Sequence, residues 1–356
     1  MEYRSRKLLV IPCVLVLGLV ALNGPRYPTS FSNESGKVIF GKYPALKSVG
    51  TNTEMETSHQ HAWIKEQEDI QYQRVELLKK GCISKQYESH EFLRIHPPPS
   101  LFIVPSHRMM YCAVPKIASS SWKHLFLIVG RYVGVNSKLN QNKLNAYASK
   151  VLPRFSHLKN KTEKEDVIEL YLKFLFVRHP FSRVLSVFKN KLDPNTKFER
   201  ASHWQRHLGM SIIKRYRKLD DYKKVARNVK KNYDLKFEEF VKYVGDPKLK
   251  PRNGHWNEVY GTCRPCAVSY NFIGKIETMT TDVEYLMKKT KLADDYKFPS
   301  MSLSSPTNSS GKKTMESYYQ NIPVQDLQNL YRRYTLDFKL FGYPKPDFVN
   351  GKIVPD

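Results

Sequence analysis

Two short segments place cationic and hydroxyl side chains at spacings suited to a phosphate-like anion. The first is Pro115-Lys116-Ile117-Ala118-Ser119-Ser120-Ser121-Trp122. It lies between a run that reads as a strand, Met109 to Val114, and a helical pattern from Trp122 to Val129. Serines at a helix start cap it and present its free N–H groups to an anion. The helix dipole favours the same charge. Lys116 adds a mobile ammonium. The second segment is Phe176-Val177-Arg178-His179-Pro180-Phe181-Ser182-Arg183-Val184-Leu185-Ser186, again strand, turn and helix. Arg178 leaves the C-terminal end of an apolar strand, where open α/β sheets bind ligands. Its guanidinium fork and the Ser186 hydroxyl suit a second phosphate. Taken singly, each segment has a plainer reading. One is a Ser-rich cap beside a solvated lysine; the other is an Arg salt bridge beside a packed serine.

The elements that must position these loops are legible around them. From Leu101 onward, short apolar runs alternate with helical patterns, the signature of an α/β fold with a largely parallel sheet. Leu172 to Val177 (LKFLFV) is mostly apolar, as expected of a strand covered on both faces. Phe181, Val184, Leu185 and Phe188 recur at helical spacing. Val268, Tyr270 and Phe272 alternate and predict a later strand. A C-terminal helix carries Leu327, Leu330, Tyr331 and Tyr334 on one face, with Pro323 near its first turn. Residues 24 to about 58 are rich in Gly, Pro, Ser, Thr and Asn and read as a linker. Residues 59–80 predict a polar helix with a weak apolar face of Trp63, Ile70, Val75, Leu77 and Leu78. The segment His96-Pro97-Pro98-Pro99 is a natural boundary. There is no internal repeat.

Charge and the N-terminus narrow the partners. Lys and Arg number 59 against 33 Asp and Glu, a formal net charge of +26. Such an excess favours polyanions: nucleic acid, anionic membrane, or acidic glycans. The 41 % apolar fraction argues against a mainly disordered chain. Arg4, Arg6 and Lys7 precede an apolar run from Leu8 to Leu22. That pattern is a cleaved signal peptide or a signal anchor. The run is short for a full bilayer span, but thinner early secretory membranes tolerate it. Ala21-Leu22-Asn23 lacks a small-x-small cleavage pattern, which favours an uncleaved type II anchor with a cytosolic basic flank. Either reading sends the chain into the secretory pathway and argues against nucleic acid as a partner. Sequons at Asn33, Asn160 and Asn308 agree with this. Beyond Cys13, the remaining cysteines are Cys82, Cys112, Cys263 and Cys266. They suit two disulfides in any of three pairings, or one bridge and two buried thiols. Cys263-x-x-Cys266 could form half a zinc site, but no second pair stands near it and a lumenal disulfide is the better reading.

The two anion loops together resemble the 5′-phosphosulfate and 3′-phosphate loops of the Golgi carbohydrate sulfotransferases. In that family a PK-x-A/G-small-small-small/Asn-W loop grips the 5′ end of 3′-phosphoadenosine 5′-phosphosulfate (PAPS). An R-x-P-F-x-R-x-x-S segment grips its 3′ phosphate. The resemblance continues through Lys214 to Arg217 (KRYR), Phe237 to Pro247 (FEEFVKYVGDP), His255-Trp256, Cys263-Arg264-Pro265-Cys266, Ile273 to Thr278 (IGKIET) and Asp337 to Tyr343 (DFKLFGY). It covers about residues 100 to 348. The triple Ser119-Ser120-Ser121 departs from relatives that carry Cys, Thr or Asn there. The family acts on chondroitin, dermatan, terminal N-acetylgalactosamine and the human-natural-killer epitope. The LPRF and FGYPKPDF pieces lean toward the last, whose acceptor is a terminal glucuronate.

The resemblance implies a P-loop-like sulfotransferase fold with a central, largely parallel sheet flanked by helices. It implies a chain divided into a cytosolic tail (1–7), a membrane anchor (8–22), a lumenal stem with a helical segment (23–100), a catalytic domain (101–348) and a short tail (349–356) in the Golgi membrane. PAPS would be the co-substrate and no metal would be required. The acceptor would be an anionic glycan, glycoprotein or proteoglycan, sulfated on the 4-hydroxyl of N-acetylgalactosamine or the 3-hydroxyl of glucuronate. In-line sulfuryl transfer needs charge stabilisation more than covalent help. Lys116 would neutralise the leaving phosphate, and a neutral histidine would take the acceptor proton. His255, in the family's His-Trp pattern, is favoured for that role over His157; the alternative is that His255 packs on Trp256. Gly311-Lys312-Lys313, in a Ser-rich loop, is a candidate to reach the nucleotide. A basic run through Arg206, Lys214, Arg215, Arg217, Lys218, Lys223, Lys224, Lys230 and Lys231 suits an anionic glycan or is a solvated helical face. A P-loop kinase is excluded by the lack of G-x-x-x-x-G-K-[ST]. A non-enzymatic glycosaminoglycan-binding protein would explain the charge but not two anion loops at strand ends.

Overall fold

The computed structural model describes residues 51–83, 89–137, 139–299 and 307–348. The expected anchor, Leu8 to Leu22, lies outside them. Among the described residues no helix is long and apolar enough to cross a membrane.

Four strands form one sheet in the order β1 (Leu101–Val104), β2 (Met109–Cys112), β3 (Leu172–Val177), β4 (Phe272–Lys275). Strands β2, β3 and β4 run parallel, and β1 pairs antiparallel with β2. The strand expected to come first is therefore second. A 3₁₀ turn at Pro105–His107, with Arg108 at φ 46°, folds β1 back onto it as an edge. Two helices, α1 (Thr51–Cys82) and α2 (His90–Ile95), precede the sheet. The parallel β2–β3 pair needs a crossover, supplied by α3 (Ser119–Val129), α4 (Gln141–Val151) and α5 (Lys161–Leu170). Helix α6 (Pro180–Lys191) follows β3, with Pro180 in its first turn, where a fixed φ suits the helix.

Two apolar clusters hold the fold. The first surrounds the sheet: Trp122 of α3 sits 4.8 Å from the Phe174 ring and 5.2 Å from the Phe176 ring. Phe176 stands opposite Gly274, where any Cβ would lie 2.2 Å from that ring, so β4 can pair only with glycine there. The second cluster joins Phe181, Val184, Leu185 and Phe188 of α6 to helices Phe237–Gly245 and Val324–Leu340. The C-terminal helix buries Leu327, Leu330 and Tyr334, as its sequence spacing predicts.

The alternation of Val268, Tyr270 and Phe272 is not one strand. Val268 ends a short helix, Pro265–Val268, Ser269 turns at φ 56°, and only Phe272 lies in β4. All three side chains are buried, so the period of two reflects burial from a helix end, a turn and a strand.

The polar helix expected over 59–80 is longer and packs on the sheet's open edge. Gln71 Oε1 accepts from the Ile273 N–H at 3.0 Å, and Arg74 Nη1 donates to the Ile273 carbonyl at 2.8 Å. Arg74 also pairs with buried Asp282 at 2.8 Å. These polar groups cover an edge strand that would otherwise be open to pairing. Leu77, expected on the apolar face, is exposed. The disulfide Cys82–Cys266 ties the end of α1 beside the same edge, and Cys112–Cys263 ties the end of β2 to the helix Val259–Cys263. Of the pairings left open by sequence, this is the one formed. The Cys-x-x-Cys pair is divided between two bridges.

Candidate active site

Both anion loops lie at the C-terminal ends of adjacent parallel strands, β2 and β3. Residues 113–118 leave β2, and Lys116 and Ala118 take left-handed φ values of 70° and 52°. Such values are costly for residues with a Cβ and mark functional turns. They let the chain reverse sharply so that α3 starts at Ser119, with its N-terminus beside Lys116. Ile117 is buried and anchors the turn. The three serines differ. Ser120 Oγ accepts from Asn145 Nδ2 at 2.9 Å and Gln141 Nε2 at 3.3 Å, ties to α4. Ser119 is nearly buried, while Ser121 Oγ is buried with no partner.

Arg178 joins the second loop to the first. Its Nη1 donates to the Lys116 carbonyl at 3.2 Å, and its Nε to Ser182 Oγ at 2.8 Å. Its Nη2 donates to Ser309 Oγ and Ser310 Oγ, both at 2.8 Å. Ser186 Oγ lies 3.1 Å from Thr307 Oγ1. A third segment, Thr307 to Ser310, thus meets the second loop through hydroxyls. Gly311-Lys312-Lys313, the pieces singled out by sequence, open the following helix, while the contacts come from the residues before them. The Ser-rich composition was the available signal. Asn308 of the third sequon is exposed on this segment.

The remaining residues of the second segment build its frame. Arg183 is fully buried and donates to three main-chain carbonyls: Pro115 at 3.2 Å, Asn257 at 2.6 Å and Gly254 at 3.1 Å. It fixes the Lys116 loop against the loop that carries His255. His179 precedes α6, and its N–H donates to Glu277 Oε1 at 2.8 Å. Its ring is packed among Phe181, Phe338 and Tyr343, with both nitrogens unpartnered. Phe181 stacks on Tyr319; Val184 and Leu185 fill the second cluster. Several family-like pieces outside the loops are supports of the same kind. Tyr343 holds Glu277 at 3.0 Å, and Asp337 caps the helix Val259–Cys263 through two 2.8 Å bonds.

His255 lies at the same place. Its Nδ1 is 2.8 Å from Asn253 Oδ1, which also accepts from the His255 N–H at 3.0 Å. An oxygen that accepts from a main-chain N–H requires the ring Nδ1 to be the donor, which leaves Nε2 as an acceptor. The ring meets Trp204 edge-on at 5.0 Å. Trp256, the packing partner considered from sequence, turns away toward Phe240 and Tyr243. His157 is exposed on the turn Phe155–His157 and is not among the charges acting on Lys116, Arg178 or His255.

The electrostatics are those of a place built for negative charge. Burial, then Lys191, then Arg178 pull Lys116 down to about 7. Lys191, which sequence reasoning missed, lies 4.5 Å from the Phe198 ring centre and 4.6 Å from that of Trp204. Burial and the cations Lys191, Lys116, Arg183 and Lys123 push His255 down to about 3, so the imidazole is neutral. Among the described residues no carboxylate pairs with Lys116 or Lys191.

Beside Pro115, Gly254 and Asn257 opens a cleft of about 1000 Å³. Its walls carry Lys123, Arg154, Lys250, Arg252 and Arg332. None of the basic run from Arg206 to Lys231 lines it. Several of that run are tied locally, Arg217 to Glu239 at 2.6 Å and Lys224 to Asp221 at 3.2 Å. The cleft-lining cations come from scattered segments, so no charge run in the sequence announces them.

These features and the comparisons agree. Residues 99–344 match the Sulfotransferase family, and the chain belongs to that family. It is 32 % identical to carbohydrate sulfotransferase 10 of Gallus gallus over 79 % of this chain and 77 % of that one. It is 33 % identical to carbohydrate sulfotransferase 11 of Rattus norvegicus over 70 % of this chain and 68 % of that one. With carbohydrate sulfotransferase 10 of Xenopus laevis the identity is 26 % over 97 % of this chain and 99 % of the relative. No solved structure matches the chain.

Proposed function

We propose that this chain is a PAPS-dependent carbohydrate sulfotransferase whose donor site is the junction of the Lys116 and Arg178 loops. The carrying observation is that junction itself: Arg178 bonded to the Lys116 carbonyl at paired strand ends, among cations, with no carboxylate on Lys116 or Lys191 among the described residues. The residues fit a nucleotide with two anionic ends. The α3 N-terminus, Lys116 and the orphan Ser121 hydroxyl suit the 5′ phosphosulfate; Arg178, Ser182 and Ser186 suit the 3′ phosphate. Bound PAPS supplies the activated sulfuryl group. Lys116 then neutralises charge growing on the leaving phosphate, an interaction strongest in the transition state. His255 Nε2 takes the acceptor proton. Negative charge beside Lys116 and Lys191 offsets the cations that depress His255, so the base strengthens when the donor site fills. Arg183 holds the Lys116 loop and the His255 loop in register.

The acceptor is read as an anionic glycan, entering by the basic cleft. The carbohydrate sulfotransferase relatives and the cleft's charge support this, as do two disulfides, which suit an oxidising lumen. A Golgi membrane location with a type II anchor at Leu8 to Leu22 completes the reading. It rests on the basic flank and apolar run alone. The test is transfer of radiolabelled sulfate from PAPS to desulfated chondroitin and to terminal-glucuronate acceptors, with binding to immobilised adenosine 3′,5′-bisphosphate measured alongside. Binding and transfer are expected. A chain that binds glycans but neither retains the nucleotide nor transfers sulfate is a glycosaminoglycan-binding protein instead.

A further inference from the structure

The basic cleft contains a charge arrangement that the donor site does not use. Phe102, on edge strand β1, is buried, and two cations stand over its ring. Lys123 Nζ is 5.3 Å from the ring centre and Arg154 Cζ is 5.0 Å from it. All three side chains line the cleft together with Pro115. Neither cation meets a carboxylate among the described residues. Lys123 Nζ donates to Asn145 Oδ1 at 3.3 Å, and Arg154 Nη2 to the Ser149 carbonyl at 2.8 Å. Arg154 Nε is buried with no acceptor.

Two cations facing one ring repel each other, and burial removes the water that would screen them. The aromatic face offsets only part of that cost. The backbone imposes the arrangement. Arg154 is bridged to Phe102 across the edge of β1, and the Ile103 N–H donates to the Pro153 carbonyl at 2.9 Å. Lys123 comes from the second turn of α3, the helix whose first turn opens the Lys116 loop. Burial and the neighbouring Arg154 lower Lys123 to about 8, and Lys123 in turn acts on His255. The backbone therefore sets where both cations stand, and Lys123 is electrostatically coupled to the base. An unsatisfied guanidinium N–H beside an ammonium matches an oxyanion with two acceptor oxygens.

We infer that Lys123 and Arg154, seated on Phe102, form a subsite for an anionic substituent, a carboxylate or a sulfate ester, on a sugar flanking the acceptor hydroxyl. This rests on the glycan sulfotransferase reading and adds to it a named determinant of acceptor choice. The test is equilibrium binding to the full chain with adenosine 3′,5′-bisphosphate present. Three chondroitin-type hexasaccharides serve as probes: carboxylated and desulfated, carboxyl-reduced and sulfated, and neutral in both respects. The wild type is expected to bind at least one anionic probe about tenfold or more tightly than the neutral one, and which one names the substituent. Lys123→Met and Arg154→Gln are each expected to bring that ratio to within about threefold, and the double variant to abolish it. Nucleotide affinity, which also reports folding, is expected to stay unchanged. Arg154→Lys should restore part of the preference, since it keeps the charge and loses the fork. A wild type without preference, or folded variants that retain it, overturns the subsite. Failure of the wild type to bind the nucleotide would overturn the parent reading, and the subsite with it.

Discussion

The two cationic loops hold their charges in opposite ways. Every nitrogen of the Arg178 guanidinium has an acceptor, from Ser182, Lys116, Ser309 and Ser310; burial lowers its pKa to about 10, and Glu277 works against that by favouring its charge. Lys116, on the neighbouring strand end, has only burial and two repelling cations acting on it. A guanidinium already held in a net of hydroxyls exchanges contacts when an anion arrives. A depressed ammonium is relieved in proportion to the negative charge brought to it, and that charge is greatest as the leaving phosphate forms. On the proposed mechanism, the difference gives ground-state binding to Arg178 and rate to Lys116.

The largest expected effect tests that division directly. Lys116→Ala should lower kcat by on the order of a hundred- to a thousandfold while changing nucleotide affinity far less. Single-turnover transfer at saturating PAPS, with circular dichroism as the folding control, measures it. A folded variant that transfers at the normal rate would give Lys116 a binding role only. His255→Gln should cost about a hundredfold in kcat, the low end for a lost general base. Its pH–rate profile should lose the acidic limb expected of the wild type. If the limb persists unchanged, the proton goes elsewhere.

Arg178→Ala should weaken adenosine 3′,5′-bisphosphate binding by roughly ten- to a hundredfold, the range for a lost charge-assisted contact of about 1.5–3 kcal/mol. At saturating donor its kcat should recover most of the wild-type value. An equal loss in kcat would mean that the Arg178 bond to the Lys116 carbonyl positions the lysine, merging the two roles. Ser186→Ala should cost only a few-fold in affinity, because a neutral hydroxyl is the weaker partner.

The smallest effect is a pH slope that separates the loops. In the free protein Lys116 titrates near 7, below its ordinary value. Anion binding restores its charge, so above that pH the nucleotide binds with proton uptake. Affinity should therefore fall only a few-fold in all as pH rises from 7 toward 9, because Lys116 contributes little to ground-state binding, and level off below 7. Calorimetry in buffers of different ionisation enthalpy reads the proton directly. Lys116→Met should flatten the slope, and Arg178→Ala should leave it, since a guanidinium stays charged throughout. A slope that survives in the lysine variant would point to another group.

Much of this was legible in the residues. LKFLFV is apolar except for Lys173 because β3 is covered on both faces, and the strand occupies the same six residues. The turns after β2 and β3 were marked by Lys116, the serines, Arg178 and Pro180, since local chemistry fixes where a helix can begin. The helical spacing after Pro323 named the buried face of the last helix because a helix repeats its neighbours every turn. Family membership followed from the same short segments.

What the sequence could not decide was which distant groups meet. Arg183 reads as a ligand in its motif, yet its guanidinium binds the carbonyls of Pro115, Gly254 and Asn257, which only chain folding brings around it. The basic run near residues 206–231 reads as a glycan surface or a solvated helical face, while the cations that line the cleft come from α3, the segment before α5, the loop after the helix Phe237–Gly245 and the C-terminal helix itself. Disulfide pairing, the edge strand β1 and the place of α1 on β4 likewise depend on contacts far apart in the chain. Residue type and spacing constrain local backbone, so they determined the elements and the two loops. Partner choice for a buried charge depends on which carbonyls, rings and cations surround it, and that only the tertiary structure sets.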